Sequence, residues 1–84
     1  MELFISKGKC PNCEYLLLNV AVNDVKGLKV WRLPTGSSAE DFADVAAMGA
    51  ADYYEIRSVP SLVLDDGRVL TDVAKILGAI NGNC

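Results

Sequence analysis

Residues 3–13 read Leu3-Phe4-Ile5-Ser6-Lys7-Gly8-Lys9-Cys10-Pro11-Asn12-Cys13 and hold the most informative pattern in this chain. A short apolar run, typical of a buried strand, is followed by two cysteines three positions apart, where a long amphipathic segment begins. Pro11 suits the first position of a helix, because the N–H that proline lacks has no helical partner there. The pattern therefore predicts a strand that leads into a helix at Cys10.

The composition predicts one small globular domain spanning residues 1–84, with 51% hydrophobic residues and a net charge of −3. No stripe of lysine or arginine is present, which argues against nucleic acid and anionic lipid as partners. No apolar stretch approaches the roughly 20 residues of a membrane span, and the start lacks the pattern of a signal peptide. We therefore expect a cytoplasmic monomer.

The chain has three cysteines and no histidine. An odd cysteine count is not typical of a secreted disulfide scaffold, and in a reducing compartment a close thiol pair is more often catalytic or metal-binding than structural. The lack of histidine excludes Ser-His and Cys-His hydrolase mechanisms. Structural zinc takes four ligands, and Cys84 is the only further thiol, so a metal site would have to bridge two chains. We expect no bound metal or cofactor, and we expect Cys84 to be a bystander.

Apolar periodicity predicts the element order β-α-β-α-β-β-α. Strands are expected at residues 2–6, 28–33, 61–64 and 68–70, and helices from Pro11 to before Gly27, from Ser37 onward, and from Thr71 or Asp72 to Gly82. The first two strands should run parallel with a right-handed crossover. Residues 50–56 are ambiguous, since they either continue the second helix or turn back toward the sheet.

Local signals place the turns and the helix faces. Residues 34–36 predict a turn, Ser37 and Glu40 form a capping-box pattern, and Asp66-Gly67 predicts a two-residue hairpin turn. The expected inner faces are Cys13, Leu16, Leu17, Val20 and Ala21 in the first helix, Phe42, Val45, Ala46 and Gly49 in the second, and Val73, Ile76, Leu77 and Ile80 in the third.

This element order, with Cys10-Pro11-Asn12-Cys13 at the first helix, resembles the thioredoxin/glutaredoxin family. The stretch Ile56-Arg57-Ser58-Val59-Pro60-Ser61 is similar to the segment that carries the family's cis-proline, just before the third strand. The spacing between Cys10 and Pro60 fits a small glutaredoxin-like protein. The resemblance implies an α/β thioredoxin fold, in which a four-stranded mixed sheet is flanked by three helices.

The sequence also departs from both branches of that family. Lys9 stands where thioredoxins usually have tryptophan, and Asn12 stands where glutaredoxins favour an aromatic residue. The glycine pair that glutaredoxins carry after the hairpin is missing, and Asp72 alone remains for the γ-glutamyl end of glutathione. The site thus resembles that of small glutaredoxin-like proteins that take electrons from a reductase.

We assign the attack on a substrate disulfide to Cys10. At a helix N-cap the unpaired N–H groups and the helix dipole favour a thiolate, which lowers the thiol pKa, and Lys7 and Lys9 add positive charge. Cys13 lies one turn further along, on the apolar face, and suits the resolving thiol.

Other residues are expected to bind the substrate. The resemblance implies that a cis bond at Pro60 turns the backbone of Val59 toward the sulfurs, where it pairs with an extended substrate. Arg57 is either a solvated surface charge or a contact for a carboxylate of a peptide or glutathione. The candidate substrate-binding residues are Lys9, Pro11, Asn12, Arg57, Val59, Pro60 and Asp72.

Three functions remain open. The first is a dithiol-disulfide oxidoreductase, an electron-transport protein that reduces protein disulfides through a redox-active Cys10–Cys13 pair and is itself reduced by an upstream reductase or by glutathione. The second is a glutathione-dependent glutaredoxin that acts on glutathione mixed disulfides. The third is a non-catalytic module that binds a metal or a partner protein.

Overall fold

A computed structural model describes residues 1–8, 10–20, 25–34 and 41–81. Within these residues the chain forms, in order, β1 (Glu2–Ser6), α1 (Pro11–Asn19), β2 (Lys29–Leu33), α2 (Phe42–Tyr53), β3 (Ser61–Val63), β4 (Val69–Leu70) and α3 (Val73–Asn81). This is the predicted order, and the predicted bounds of β2, β3 and β4 differ from the observed ones by one residue at one end.

The strands form a mixed sheet in the order β2-β1-β3-β4. β1 and β2 are parallel with Phe4 opposite Trp31, whereas β1 and β3 are antiparallel with Phe4 opposite Ser61. β3 and β4 are also antiparallel, with Leu62 opposite Leu70. The α/β class, the four-stranded mixed sheet and the three helices are therefore confirmed, and at this level the arrangement is thioredoxin-like.

The alternation of side chains along β1 assigns the helices to the two faces of the sheet. Leu3 and Ile5 point to the face covered by α1 and α3, and the buried residues packed with them are Cys13, Leu16, Val20, Leu62, Ile76 and Ile80. Phe4 points to the opposite face, where it packs with Ala51 of α2 and with Val63. The sheet therefore lies between two layers of helix. α1 and α3 cover one face, and α2 covers the other.

α1 begins at Pro11 as predicted but ends at Asn19, well before Gly27. The Asn19 side chain folds back onto the helix, and its amide donates to the carbonyl of Tyr15 at 2.8 Å. Val20 then takes an extended conformation, with φ −137° and ψ 127°, and is buried in the core. A core position reached by extended chain explains why Val20 fits the helical pattern without being helical.

The predicted inner faces of α1 and α3 are largely confirmed. Cys13 and Leu16 of α1 are buried, whereas Leu17 is partly exposed and lies at the edge of the contact. In α3, Ile76 and Ile80 are buried, and Val73 and Leu77 are half-buried. The predicted inner position Ala21 and the predicted helix end Gly82 lie outside the described residues.

α2 begins at Phe42, and its N-cap is Asp41, whose carboxylate accepts from the backbone N–H of Asp44 at 2.9 Å. The helix continues to Tyr53, so the ambiguous segment is helical in its first part, and the chain then turns through Glu55 at φ 58°. The proposed turn residues 35 and 36 and the capping box of Ser37 and Glu40 fall in the stretch that the structure does not describe.

The predicted inner face of α2 is wrong. The buried residues are Asp44, Ala47 and Ala51, whereas Phe42, Val45, Ala46 and Gly49 are all exposed. Almost the whole circumference of α2 is apolar or small, so the helical period alone does not distinguish its sides. The small alanines allow the helix to approach a sheet face already filled by Phe4 and Trp31.

The β3–β4 connection differs from the predicted two-residue turn. The N–H of Leu64 donates to the carbonyl of Arg68 at 2.8 Å, and the N–H of Gly67 donates to the carbonyl of Leu64 at 2.9 Å. The loop therefore contains Asp65, Asp66 and Gly67, and among these Gly67 alone has a positive φ, of 93°. A tight turn followed by a left-handed glycine is the usual three-residue hairpin.

None of the helices in the described stretches has the length and apolar character that crossing a membrane requires.

Candidate active site

The chain between β1 and α1 is fastened from two sides. The N–H of Lys7 donates to the carbonyl of Leu33 at 2.8 Å, which extends the pairing of β1 with β2 by one residue. The N–H of Gly8 donates to the hydroxyl of Ser6 at 3.1 Å. Lys9, a predicted substrate-binding residue, lies outside the described residues. These contacts hold the chain that follows β1, so that Cys10 lies at the end of the sheet where β1 ends.

Cys10 is the N-cap of α1. Its backbone is extended, with φ −146° and ψ 97°, and its carbonyl accepts the first helical hydrogen bond from Glu14 at 2.9 Å. Its sulfur accepts a hydrogen bond from the backbone N–H of Cys13 at 3.2 Å. The sulfur thus takes the place of the side-chain oxygen that usually caps a helix. An anion at this position faces the positive end of the helix dipole.

The sulfurs of Cys10 and Cys13 are joined in a disulfide, with their Cα atoms 5.2 Å apart. Cys13 is 2% exposed and packs in the apolar cluster with Leu16, whereas Cys10 is half-buried at the edge of that cluster. Pro11 and Asn12, which lie between the two cysteines, are exposed. A molecule that approaches the disulfide from solvent therefore reaches Cys10 before Cys13.

The segment before β3 ends beside this site. The Val59–Pro60 peptide bond is cis, as the resemblance led us to expect, and Pro60 is buried. The hydroxyl of Ser61 donates to the carbonyl of Ser58 at 2.6 Å and closes the turn. Because Ser61 pairs antiparallel with β1, residues 58–60 emerge at the end of the sheet from which β1 leads to Cys10. Val59 and Cys10 pack against the same apolar cluster.

Arg57 borders a shallow cleft at this end of the sheet. The cleft has a volume of about 230 Å³, and Ser6 and Val59 are among the residues that line it with Arg57. The Arg57 side chain is exposed. The structure therefore places the Arg57 cation beside Val59. A cation in this position suits an anionic group of a bound substrate.

One carboxylate oxygen of Asp72 caps the N-terminus of α3. Its Oδ1 accepts from the backbone N–H groups of Ala74 at 2.8 Å and Lys75 at 3.4 Å, so it caps α3. β4 runs antiparallel to β3, which places Asp72 at the same end of the sheet as Cys10. Of the two caps that the sequence allowed, Asp72 rather than Thr71 is the one observed.

Sequence reasoning missed an ion pair close to this loop. The ammonium group of Lys7 pairs with the carboxylate of Asp44, whose side chain is only 1% exposed. The expectation that Lys7 adds positive charge near Cys10 therefore needs correction, because a buried carboxylate compensates that charge. No local pattern in α2 predicts that Asp44 is buried in an ion pair. What indicates its burial is its spacing in the helix, which places it on the same face as Ala47 and Ala51.

Two groups with shifted pKa values lie toward the opposite end of the sheet. The hydrogen bond that Tyr54 donates to Glu2 at the start of β1, together with partial burial, raises the pKa of the Tyr54 phenol. In the hairpin loop, the backbone N–H of Arg68 and then its guanidinium lower the pKa of Asp66. Both shifts report on folding contacts and lie away from the sulfurs.

Within residues 1–8, 10–20, 25–34 and 41–81, no three histidine, cysteine, aspartate or glutamate side chains are arranged to hold a metal ion. Cys84, the third sulfur that a two-chain metal site would use, lies outside these ranges.

Comparison with known proteins leaves the family open: no family model, no curated protein and no solved structure matches this chain. Function therefore has to be inferred from the residues and their geometry.

Proposed function

We propose that this chain is a dithiol-disulfide oxidoreductase of the thioredoxin/glutaredoxin family, which reduces protein disulfides through Cys10 and Cys13. One observation carries the proposal: two joined sulfurs lie at the N-terminus of α1, where one is accessible and hydrogen-bonded to the helix and the other is buried. Thiol-disulfide exchange needs an accessible attacking sulfur and a second sulfur within its reach.

In the reduced chain the thiolate of Cys10 attacks one sulfur of the substrate disulfide. The substrate S–S bond breaks, a mixed disulfide to Cys10 forms, and the released substrate sulfur takes up a proton. Cys13 then loses its proton and attacks the Cys10 sulfur, which forms the Cys10–Cys13 disulfide and releases the second substrate thiol. Two electrons pass from the chain to the substrate, which is the oxidant.

The position of Cys10 favours the first step. A helix N-terminus stabilises a nearby surface anion by about 0.3–1 kcal/mol. A hydrogen bond to a charged acceptor is roughly twice as strong as one to a neutral acceptor, so the N–H of Cys13 binds a thiolate better than a thiol. Both effects favour the thiolate over the thiol at Cys10.

We assign the positioning of the substrate to the segment before β3. The backbone of Val59 is the group that we expect to pair with an extended substrate chain beside its disulfide. The location of Val59 supports this assignment, because Val59 packs against the apolar cluster that Cys10 also contacts, at the same end of the sheet. Pro11 and Asn12, exposed between the cysteines, complete the surface that a substrate would touch.

Turnover requires that the Cys10–Cys13 disulfide be reduced again. A dithiol of an upstream reductase, or two glutathione molecules, would supply two electrons and two protons by the same exchange run in reverse. No bound cofactor is needed for either route, because the electrons reside in the two thiols.

The test uses a Cys84→Ser parent, so that Cys10 and Cys13 are the only thiols. The reduced parent is mixed with an oxidised protein substrate, samples are quenched with an alkylating reagent, and mass spectrometry follows the alkylated, reduced substrate against time. Cys13→Ser is expected to form a mixed disulfide that mass spectrometry detects, whereas Cys10→Ser should form none and reduce no substrate. Equal rates for the parent and Cys10→Ser would contradict the proposal.

One observation favours glutathione mixed disulfides as a second candidate substrate. Arg57 lies beside Val59 in the cleft and is placed to meet a carboxylate of glutathione. For this activity one thiol suffices, so Cys13→Ser should still remove glutathione from a modified protein. Loss of that activity in Cys13→Ser, together with failure of glutathione to reduce the parent, would exclude this branch.

A further inference from the structure

The outer face of α1 carries an apolar stripe that starts at the disulfide. Pro11, Tyr15 and Leu18 follow each other at helical positions i, i+4 and i+7, so they lie along one side of the helix. Pro11 is exposed, Tyr15 is 55% exposed and Leu18 is 86% exposed. Scattered apolar residues on a surface need no explanation, but this row starts at the disulfide, where a substrate joined to Cys10 has to lie.

The charge on the helix that carries this stripe is negative. Glu14 is the one charged residue within α1, and it is exposed. The ion pairs of the described residues do not involve it. Asp72 is also exposed, at the N-terminus of α3, the helix that packs beside α1. A partner with basic side chains next to apolar ones complements this surface.

We infer that the stripe Pro11-Tyr15-Leu18 is the docking surface for a substrate protein whose disulfide is flanked by apolar and basic residues. The inference rests on the proposed function and names the class of its substrate. A substrate joined to Cys10 has to lie over the first turn of α1, and the stripe continues from there. At 1.5 Å per residue it extends about 10 Å along the helix from Pro11 to Leu18.

This length separates two classes of substrate. A small disulfide or a glutathione adduct ends near the first turn, whereas a protein segment reaches Leu18. Glutathione also carries more negative than positive charge, which Glu14 disfavours. The stripe therefore raises reactivity toward protein disulfides of the stated kind and leaves small disulfides unaffected.

The chain supplies a matched control on its other side. Tyr53, the last residue of α2, is 80% exposed, and α2 covers the sheet face opposite to the one that holds Cys13. The next residue, Tyr54, donates a hydrogen bond to Glu2 at the start of β1, so this end of α2 lies at the end of the sheet away from Cys10. A polar substitution of Tyr53 removes a well-exposed aromatic side chain from a surface that a substrate on Cys10 does not reach.

The experiment uses three defined probes with the reduced chain. Two are short peptides, each closed by one disulfide, whose cysteines are flanked by leucine and lysine in one and by serine and aspartate in the other. The third is bis(2-hydroxyethyl) disulfide. Each rate constant is divided by that of the same probe with dithiothreitol, which removes differences in intrinsic reactivity.

We expect a preference of about tenfold for the leucine-lysine peptide, equivalent to about 1.4 kcal/mol. Tyr15→Gln combined with Leu18→Gln should reduce that preference to less than about twofold, because the apolar contact is lost. Tyr53→Gln should retain the full preference. Glu14→Gln should weaken it and make it less sensitive to salt, since a charge pair with the peptide is removed.

Several results would overturn the inference. These are equal normalised rates for the two peptides, a preference that survives the Tyr15/Leu18 double substitution, and an equal loss in Tyr53→Gln. Bis(2-hydroxyethyl) disulfide separates this failure from that of the proposed function. If the reduced chain reacts with this small probe but does not distinguish the peptides, only the docking surface is wrong. If it reacts with none of the probes through Cys10, the oxidoreductase proposal itself is wrong.

Discussion

Three consecutive leucines of α1 differ in burial and provide a graded test of how this helix lies on the sheet. Leu16 is 0% exposed, Leu17 is 38% exposed and Leu18 is 86% exposed. Truncation of a fully buried leucine to alanine costs about 3–5 kcal/mol, through lost burial and the cavity that remains. We therefore expect about 3–5 kcal/mol for Leu16→Ala, about 2–3 kcal/mol for Leu17→Ala in proportion to its burial, and less than about 0.5 kcal/mol for Leu18→Ala.

The assay is equilibrium urea unfolding of the oxidised chain, followed by the fluorescence of Trp31. This residue is the only tryptophan of the chain, and it stacks on the buried Phe4 with ring centroids 6.3 Å apart, so its signal reports on the core. A chain of this length is stable by about 4–12 kcal/mol, of which Leu16→Ala removes a large part. Leu16→Met, which conserves volume, should cost less than about 1.5 kcal/mol and provides a foldable second variant.

The order of the three free-energy losses is the decisive result. Equal losses at Leu16 and Leu18, or a larger loss at Leu18, would show that α1 is rotated on the sheet. Cys13 lies one turn before Leu16 on the same face, so a rotated helix would also expose the Cys13 sulfur. The assignment of Cys13 as the protected, resolving thiol would then be refuted together with the packing.

Further predictions concern a glycine in a turn, a glycine in a helix, a helix cap and a titrating tyrosine. Gly67→Ala should lower the free energy of unfolding by about 1 kcal/mol, because φ is 93° there. Gly49→Ala, in the interior of α2 with no atom within 4 Å of the added methyl group, should raise it by about 0.5–1 kcal/mol; urea unfolding of both variants checks this pair. Asp72→Ala removes the N-cap of α3 and should cost about 1 kcal/mol, seen as a lower urea midpoint. The hydrogen bond to Glu2 raises the pKa of Tyr54, so it stabilises the fold below the ordinary tyrosine pKa and is lost as pH rises through the raised value. In a phenolate absorbance titration, with Tyr54→Phe subtracted, Glu2→Gln should move this ionisation to lower pH; an unmoved curve would contradict the assignment.

Local patterns predicted the elements that carry the site. The apolar run 3–5 gave β1 with its observed bounds, and Pro11 marked the first residue of α1. These signals act over a few residues, since a strand needs a short apolar run and a helix start needs a compatible first turn. The position of Cys10 at the N-cap follows directly from them.

The orientation of α2 shows the limit of such patterns. Phe42 and Val45 are larger and more apolar than Asp44 and Ala47, yet they face solvent while the other two are buried. Two tertiary facts reverse the expectation. Lys7 from the end of β1 compensates the carboxylate of Asp44, and Ala51 packs against the buried Phe4 of the sheet. Neither fact is local to the helix.

The same distinction applies to the site as a whole. The type and order of the elements, and the placing of Cys10 and Cys13 one turn apart, are properties of short stretches, because backbone preference and hydrophobic period act between near neighbours in the chain. The burial of Cys13, the end of α1 at Asn19, and the approach of residues 58–60 to the end of β1 depend on which surfaces meet in the folded chain. Contacts between residues far apart in the chain are chosen by available volume and charge compensation, and these exist only once the sheet has formed.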